Sequence, residues 1–164
     1  MEFPPLTGTQ MGQFSHLSIL TVNDLKKPDI PNNFIFIFQN TPTQGHWVLV
    51  LQHPKLKTFE FFDPLGMSIT DLKPYFNYYI QERGHLARVL FEKINQYHYI
   101  GLQESKTPLE HPTGTTCGYI VLYRFLNRHI NLEKFLDLVE TEFKNPLKEI
   151  PSIIKQLLTK DGLL

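Results

Sequence analysis

The sequence predicts an α+β domain in which a mixed sheet of about five strands is packed by helices. Short runs rich in β-branched and aromatic residues occupy the middle of the 164-residue chain. The last third of the chain instead repeats its apolar residues at three- and four-residue intervals, the spacing of amphipathic helices. Strands grouped in the middle with helices behind them favour α+β over an alternating α/β order.

Three strands are predicted in succession between residues 34 and 62. Residues 34–38 read FIFIF, an unbroken apolar run, and the turn sequence QNTPTQG follows it. Residues 46–52 and 58–62 are further strand-like runs, joined by the short connector HPKLK. The DPLG sequence at 63–66 ends the series because proline and glycine both interrupt a ladder. These runs therefore predict a three-stranded meander.

One helix and two further strands are predicted after this meander. Apolar and aromatic residues have helical spacing over 68–81. The runs RVLFEKI (88–94) and YHYIGLQ (97–103) have the composition of strands. The loop SKTPLEHPTGT, with two prolines and a glycine, follows the second run.

Helices are also predicted at both ends of the chain. Near the start, three apolar residues have helical spacing: Phe14, Leu17 and Leu20. A strongly apolar helix is predicted from Cys117 onwards. Two more helices are predicted over 132–144 and 147–159, with Pro146 between them.

Length and composition restrict the class of protein. The length favours one domain, covering residues 1–164 with its core at about 12–145, and we expect a monomer. The 16 basic and 16 acidic residues balance, so nucleic acid is not expected to be required. No apolar run approaches the roughly 20 residues that cross a bilayer, and the start MEFPPLTGTQMG lacks the features of a secretory signal. We therefore expect no membrane association.

The chain has one cysteine, so no disulfide can form within it. The sequence lacks the clustered Cys and His spacing of a structural zinc site, and neither a metal nor another cofactor is expected. A lone cysteine is ordinarily a small buried apolar residue. The residues around Cys117 favour a different interpretation.

Cys117 follows a loop of Pro, Gly and Thr and begins an apolar helix, which is where a nucleophile can be presented. A helix N-terminus and a neighbouring imidazole both favour the reactive thiolate form of a cysteine. Gly118 has no side chain to obstruct a substrate backbone. The alternative is a Cys-Gly pair at an ordinary junction between loop and helix.

His46 and Asp63 are the candidates for the groups that assist a thiol. His46 begins one predicted strand and Asp63 follows the end of the next. If the two strands form a hairpin, the start of one lies beside the end of the other. A carboxylate on one ring nitrogen would then leave the other nitrogen to serve the thiol. Taken singly, His46 could be a surface residue at a strand end and Asp63 a turn residue before proline.

The blocks GHWVLV, FEFFDPLG and TGTTCGYIVLYRF resemble the His-Trp, acidic-Pro-x-Gly and Cys-Gly blocks of adenovirus maturation proteases. The SUMO-deconjugating proteases share the order His-Trp, Asp and Cys-Gly. The resemblance covers about residues 12–130. It implies an adenain-like, papain-like site on an α+β fold, with the nucleophile at a helix N-terminus, and suggests a small DNA virus or a virophage as the source.

The resemblance implies a cysteine endopeptidase that processes viral capsid or structural precursor proteins during virion maturation. Its expected catalytic residues are Cys117, His46 and Asp63, and its expected location is the virion and the infected cell, in cytoplasm or nucleus. Two alternatives stay open on the same residues. The chain could be a deconjugase for a ubiquitin-like modifier, or a non-catalytic descendant that binds peptide or capsid protein.

The second donor of the oxyanion hole departs from the family pattern. The family places a Gln six or seven residues before the cysteine, where this chain has His111 and Glu110. We favour Gln103, which ends the run YIGLQ as the family's Gln tends to end a strand, over Glu110. This choice requires a loop insertion of about seven residues, which costs little free energy. By the same resemblance, Trp47 is expected to cover the His46 pair.

Overall fold

The computed structural model describes residues 2–41, 44–70, 80–110 and 115–164. Within these residues the chain is an α+β domain with a five-stranded mixed sheet packed by five α-helices. The strands are β1 (Ser18–Leu20), β2 (Phe34–Thr41), β3 (Gln44–His53), β4 (Thr58–Phe62) and β5 (Gly101–Glu104). The helices are α1 (Gly8–Ser15), α2 (Ile80–Gln96), α3 (Cys117–Leu126), α4 (Leu132–Glu142) and α5 (Pro146–Lys160). A short 3-10 helix spans Val22–Lys26.

The strands lie side by side in the order β1-β2-β3-β4-β5. The central strands β2, β3 and β4 are antiparallel, and each edge strand runs parallel to its neighbour. The predicted meander is therefore confirmed as the centre of the sheet.

Alternate residues of the central strands face two separate cores. Leu49, Leu51 and Phe62 pack on one face with residues of α3, α4 and α5. Phe residues of β2 and β4 pack on the other face against apolar residues of α2. Because helices cover both faces, the sheet is the middle layer of three.

The largest difference from the sequence-based expectation is α2. The run at 88–94 was predicted as a strand and is helical, and the strand predicted over 97–103 begins only at Gly101. Leu86 and Leu90, both fully buried, are four residues apart and so share one helix face against the sheet. This packing outweighs the strand propensity of the run. Most of the helix predicted over 68–81 lies outside the described residues, while Ser68 and its two neighbours are not helical.

The remaining helices follow the prediction more closely. The helices predicted over 132–144 and 147–159 are confirmed as α4 and α5. At the start of the chain α1 ends at Ser15, because His16 takes a left-handed conformation, and Leu20 belongs to β1. None of the helices in the described ranges is long and apolar enough to cross a membrane.

A buried ion pair joins α3 to the sheet. Arg124 donates two hydrogen bonds to the carboxylate of Glu60 on β4, at 2.7 and 2.9 Å. His53 lies 2.7 Å from the same carboxylate. Burial raises the pKa of Glu60, but these hydrogen bonds more than offset it and the pKa is lowered. The ionised pair holds α3 at a defined position over the sheet.

The first residues of the chain, 2–7, which we call the N-terminal segment, lie across the start of α3. Three of its backbone carbonyls accept hydrogen bonds from side chains near Cys117. The bonds run from Thr115 to Phe3 (2.9 Å), from Tyr119 to Pro4 (2.7 Å) and from Trp47 to Leu6 (3.1 Å). The segment therefore fixes the backbone on both sides of the cysteine.

Candidate active site

His46 and Asp63 meet across the hairpin of β3 and β4. Leu49 pairs with Phe62 in the ladder, so Asp63, one residue beyond β4, lies level with Val48, two residues from His46. The Nε2 atom of His46 is 2.6 Å from Oδ1 of Asp63. Both side chains are buried, His46 to 6% exposure and Asp63 to 0%. The imidazole is thus oriented by a carboxylate that water does not reach.

Asp63 is held by two further donors. The Leu65 backbone N–H donates to its Oδ1 at 2.9 Å, and Nη2 of Arg83 donates to its Oδ2 at 2.8 Å. Burial raises the pKa of Asp63, but the positive charges of His46 and Arg83 outweigh burial and lower it. Asp63 is therefore ionised at neutral pH. No motif in the sequence indicated Arg83, which lies on α2.

The second ring nitrogen of His46 faces Cys117 and Glu110. One ligating atom of each of the three residues lies within 4.8 Å of the other two, and all three side chains are buried. Burial lowers the pKa of His46, but Asp63 and Cys117 raise it well above 6.5. An imidazolium is the form that pairs with a thiolate, so this arrangement is compatible with cysteine and histidine acting as a catalytic pair.

Cys117 is the first residue of α3, as predicted. The first N–H groups of a helix have no partner within it, and the helix dipole places partial positive charge there. The Cys117 side chain is 7% exposed. The thiol therefore lies at the N-terminus of α3 and beside the imidazole.

Glu110 lies against this pair. Its Oε1 is 3.5 Å from Nδ1 of His46, and its Oε2 accepts a hydrogen bond from the Thr116 hydroxyl at 3.3 Å. Burial, reinforced by the negative charge of Asp63, raises the pKa of Glu110 to about 7, although His46 and Thr116 act against it. Glu110 is therefore a neutral acid below about pH 7 and an anion above it.

Gln103 lies elsewhere on the sheet. It is on β5 opposite Glu60, and its side-chain amide donates to the Thr58 hydroxyl at 2.7 Å. Thr58 begins β4, whereas Asp63 follows the end of that strand. The structure brings Glu110, and not Gln103, to the thiol and the imidazole. The identity of the second oxyanion donor, for which the sequence favoured Gln103, stays a prediction.

Gly118 and Trp47 both contact the protein's own N-terminal segment. A Cβ atom on Gly118 would lie 3.2 Å from the Cβ of Leu6 and 3.1 Å from the sulfur of Met11. The absence of a side chain at Gly118 therefore allows the segment and α1 to pack closely, whereas the sequence suggested approach of a substrate. Trp47 is buried in the same core and donates its indole N–H to Leu6.

The three clustered side chains also include the donor types of a metal site, one thiol, one imidazole and one carboxylate. A metal ion needs a free lone pair on the imidazole nitrogen. Asp63 and Cys117 raise the pKa of His46 well above 6.5, so protonation of the ring competes with metal binding. The cluster suits a thiolate–imidazolium pair better than it suits a metal.

No model of a protein family matches the chain, and a search of curated proteins finds no relative at a significant level.

Proposed function

We propose that this protein is a cysteine endopeptidase in which Cys117 attacks a peptide carbonyl, His46 transfers the proton and Asp63 orients the histidine. The observation that carries the proposal is the position of the His46 ring. Its Nε2 is bound to a buried carboxylate at 2.6 Å, and its other nitrogen faces the only cysteine of the chain. A histidine with a purely structural role in the core does not require both an ionised carboxylate and a thiol at a helix N-terminus as its neighbours.

The reaction would begin with attack of the Cys117 thiolate on the scissile carbonyl carbon, which forms a C–S bond and a negatively charged oxygen. The His46 imidazolium then gives its proton to the leaving amine as the C–N bond breaks. Water attacks the resulting thioester while His46 accepts a proton from it. The C–S bond breaks, and the carboxylic acid product leaves with the ion pair restored. Asp63 stays ionised throughout and holds the ring.

The oxyanion would be stabilised by the Cys117 backbone N–H and by the protonated carboxyl of Glu110. Both groups lie at the start of α3, beside the reacting sulfur. A neutral carboxylic acid donates one hydrogen bond, whereas a carboxylate would repel the developing negative charge. Burial favours the protonated, neutral form of the Glu110 carboxyl. At pH values below about 7 this carboxyl can therefore donate to the oxyanion as a glutamine amide would.

Labelling of Cys117 by a peptide chloromethyl ketone tests the proposed chemistry. We expect one label per chain, with a rate far above that of a free thiol at pH 6, and a loss of that excess in His46→Ala. His129→Ala alters an exposed histidine and should label like the wild type. Because Cys117 is the only cysteine, the mass of the intact chain measures the reaction without a separation step. Reactivity equal to that of a free thiol would favour a non-catalytic peptide binder.

The natural substrates are proposed from the order of the motifs: viral capsid or structural precursors cleaved during virion maturation. The test is co-expression with candidate precursors, followed by mass spectrometry of the fragments. Cleavage that depends on Cys117 and occurs within a precursor supports the proposal. Release of an intact ubiquitin-like modifier from a conjugate, with the precursors uncut, would establish a deconjugase on the same residues instead.

A further inference from the structure

Arg83 reaches the proposed active site from a part of the chain that no catalytic motif includes. It lies in the first turn of α2, and its side chain is 1% exposed. One terminal nitrogen donates to Oδ2 of Asp63 at 2.8 Å, and the other donates to the backbone carbonyl of Ser68 at 2.8 Å. The two oxygens of Asp63 are thereby divided, with Oδ1 left to His46 and Leu65.

The guanidinium also packs against two aromatic rings of the sheet. Its carbon lies 4.9 Å from the ring centre of Phe38 and 6.0 Å from that of Phe61, both fully buried residues of the sheet. A planar cation can stack on such rings and still present a rigid fork of donors, which a lysine ammonium cannot do. Because the guanidinium is held rigidly, the position of α2 determines the position of the Asp63 carboxylate.

The charges of the site also depend on Arg83. Asp63 is faced by His46 from β3 and by Arg83 from α2, while Glu110 and Cys117 face the opposite side of the imidazole. With Glu110 neutral, the two cations balance the carboxylate of Asp63 and a thiolate. Removal of the guanidinium would leave one net negative charge in a buried site, which favours protonation of one of the anions.

We propose that Arg83 is a positioning residue, which holds Asp63 ionised and in place so that His46 stays aligned on Cys117. The inference rests on the proposed function of the Cys117–His46 pair. Arg83 touches neither substrate nor the thiol in this mechanism and acts through Asp63. Its removal should therefore change the proton equilibrium of the site as well as its rate.

The experiment is the pH dependence of Cys117 alkylation by chloroacetamide, which requires no knowledge of the substrate. In Arg83→Gln we expect the rate at pH 6 to fall about tenfold and the acid limb of the profile to move up by at least half a pH unit. The reason for the shift is that Asp63 protonates more readily without the guanidinium. Arg83→Lys keeps the charge and should keep the acid limb near its wild-type position, although its rate falls. Arg88→Gln, an exposed change on the same helix, should leave the profile unchanged.

Two further measurements separate this role from a structural one. Unfolded protein would label as an ordinary free thiol, in a separate slow phase at pH 6, and would leave the acid limb of the fast phase where it is. In an Asp63→Asn background, Arg83→Gln should cause no additional shift, because its partner has gone.

If the wild type labels rapidly and Arg83→Gln retains its acid limb, the Arg83 proposal is overturned while the proposed function stands. If Arg83→Gln does not fold, an acid limb displaced in Arg83→Lys contradicts the proposal. Slow, solvent-like labelling of the wild type overturns both.

Discussion

Glu110 and His46 approach within 3.5 Å on the side of the imidazole that also faces the thiol. This contact places a group with a pKa of about 7 beside a histidine whose pKa is raised well above 6.5. The two side chains therefore carry their charges over different pH ranges, and activity should depend on both.

Activity should decline above about pH 7 as Glu110 ionises. The anion would repel the oxyanion and attract the His46 proton toward itself. We expect Glu110→Gln to remove this decline, because an amide donates at any pH, and to keep the rate at pH 6 within about threefold. Glu110→Ala should lower kcat by about a hundredfold at pH 6, since one oxyanion donor contributes roughly 10²–10³. The measurement is kcat against pH with a cleavable peptide, and Glu133→Gln, on the surface of α4, is the control.

The pH dependence of the free energy of unfolding also measures the ionisation of the Glu110 carboxyl. A carboxyl with a raised pKa stabilises the folded state most below about pH 4.5, and this contribution is lost as pH rises to about 7. The free energy of unfolding should therefore fall with pH in the wild type relative to Glu110→Gln, by at most about 1.4 kcal/mol per pH unit. Denaturant titrations of both proteins between pH 4.5 and 8 would show it. Parallel curves for the two proteins would mean that Glu110 titrates as an ordinary carboxyl.

Cys117→Ala should abolish peptide cleavage and leave the fold intact. The thiol makes a small contribution to packing at a helix start, so we expect the melting temperature to change by only a few degrees. His46→Ala should lose cleavage as well. Cleavage assays on purified proteins, with circular dichroism to check folding, test both changes. Wild-type cleavage by Cys117→Ala would remove the thiol from the mechanism.

Asp63→Asn should lower kcat strongly, but less than His46→Ala, with a modest change in KM. The amide cannot stabilise the imidazolium, although it occupies the same volume and can still meet the ring. Asp137→Asn, at an exposed position, is the matched control. Full activity in Asp63→Asn would show that another group orients His46.

Two glycine substitutions in helices should have opposite effects. Gly118→Ala places a methyl group 3.1–3.2 Å from Met11 and Leu6, so we expect about 1 kcal/mol of destabilisation and slower labelling of Cys117. Gly84→Ala meets no atom within 4 Å and lies inside α2, where alanine should stabilise the helix by about 0.5–1 kcal/mol. Urea titrations and labelling rates of the two variants test this contrast. Equal effects on stability would show that the N-terminal segment does not pack closely on α3.

The sequence predicts those parts of the site that depend on local order. Strand alternation and a short connector bring His46 beside Asp63, and an apolar helix after a loop presents Cys117. Arg83 could not be predicted, since α2 was interpreted partly as a strand and its contact with Asp63 depends on how the helix packs against the sheet. The position of Glu110 depends on the path of the loop after β5, which composition alone does not determine.

Neighbouring strands of the sheet are also neighbours along the chain, and this order has a consequence for how the site assembles. His46 and Asp63 are only 17 residues apart, so the hairpin that joins them closes a short loop and can form early in folding. Cys117 follows all five strands in the chain, so we expect it to join the site when α3 docks on the sheet. A chain still emerging from the ribosome would therefore hold its histidine and carboxylate without an aligned nucleophile. Under the proposed function, such a chain would be unable to cleave its neighbours before it has folded.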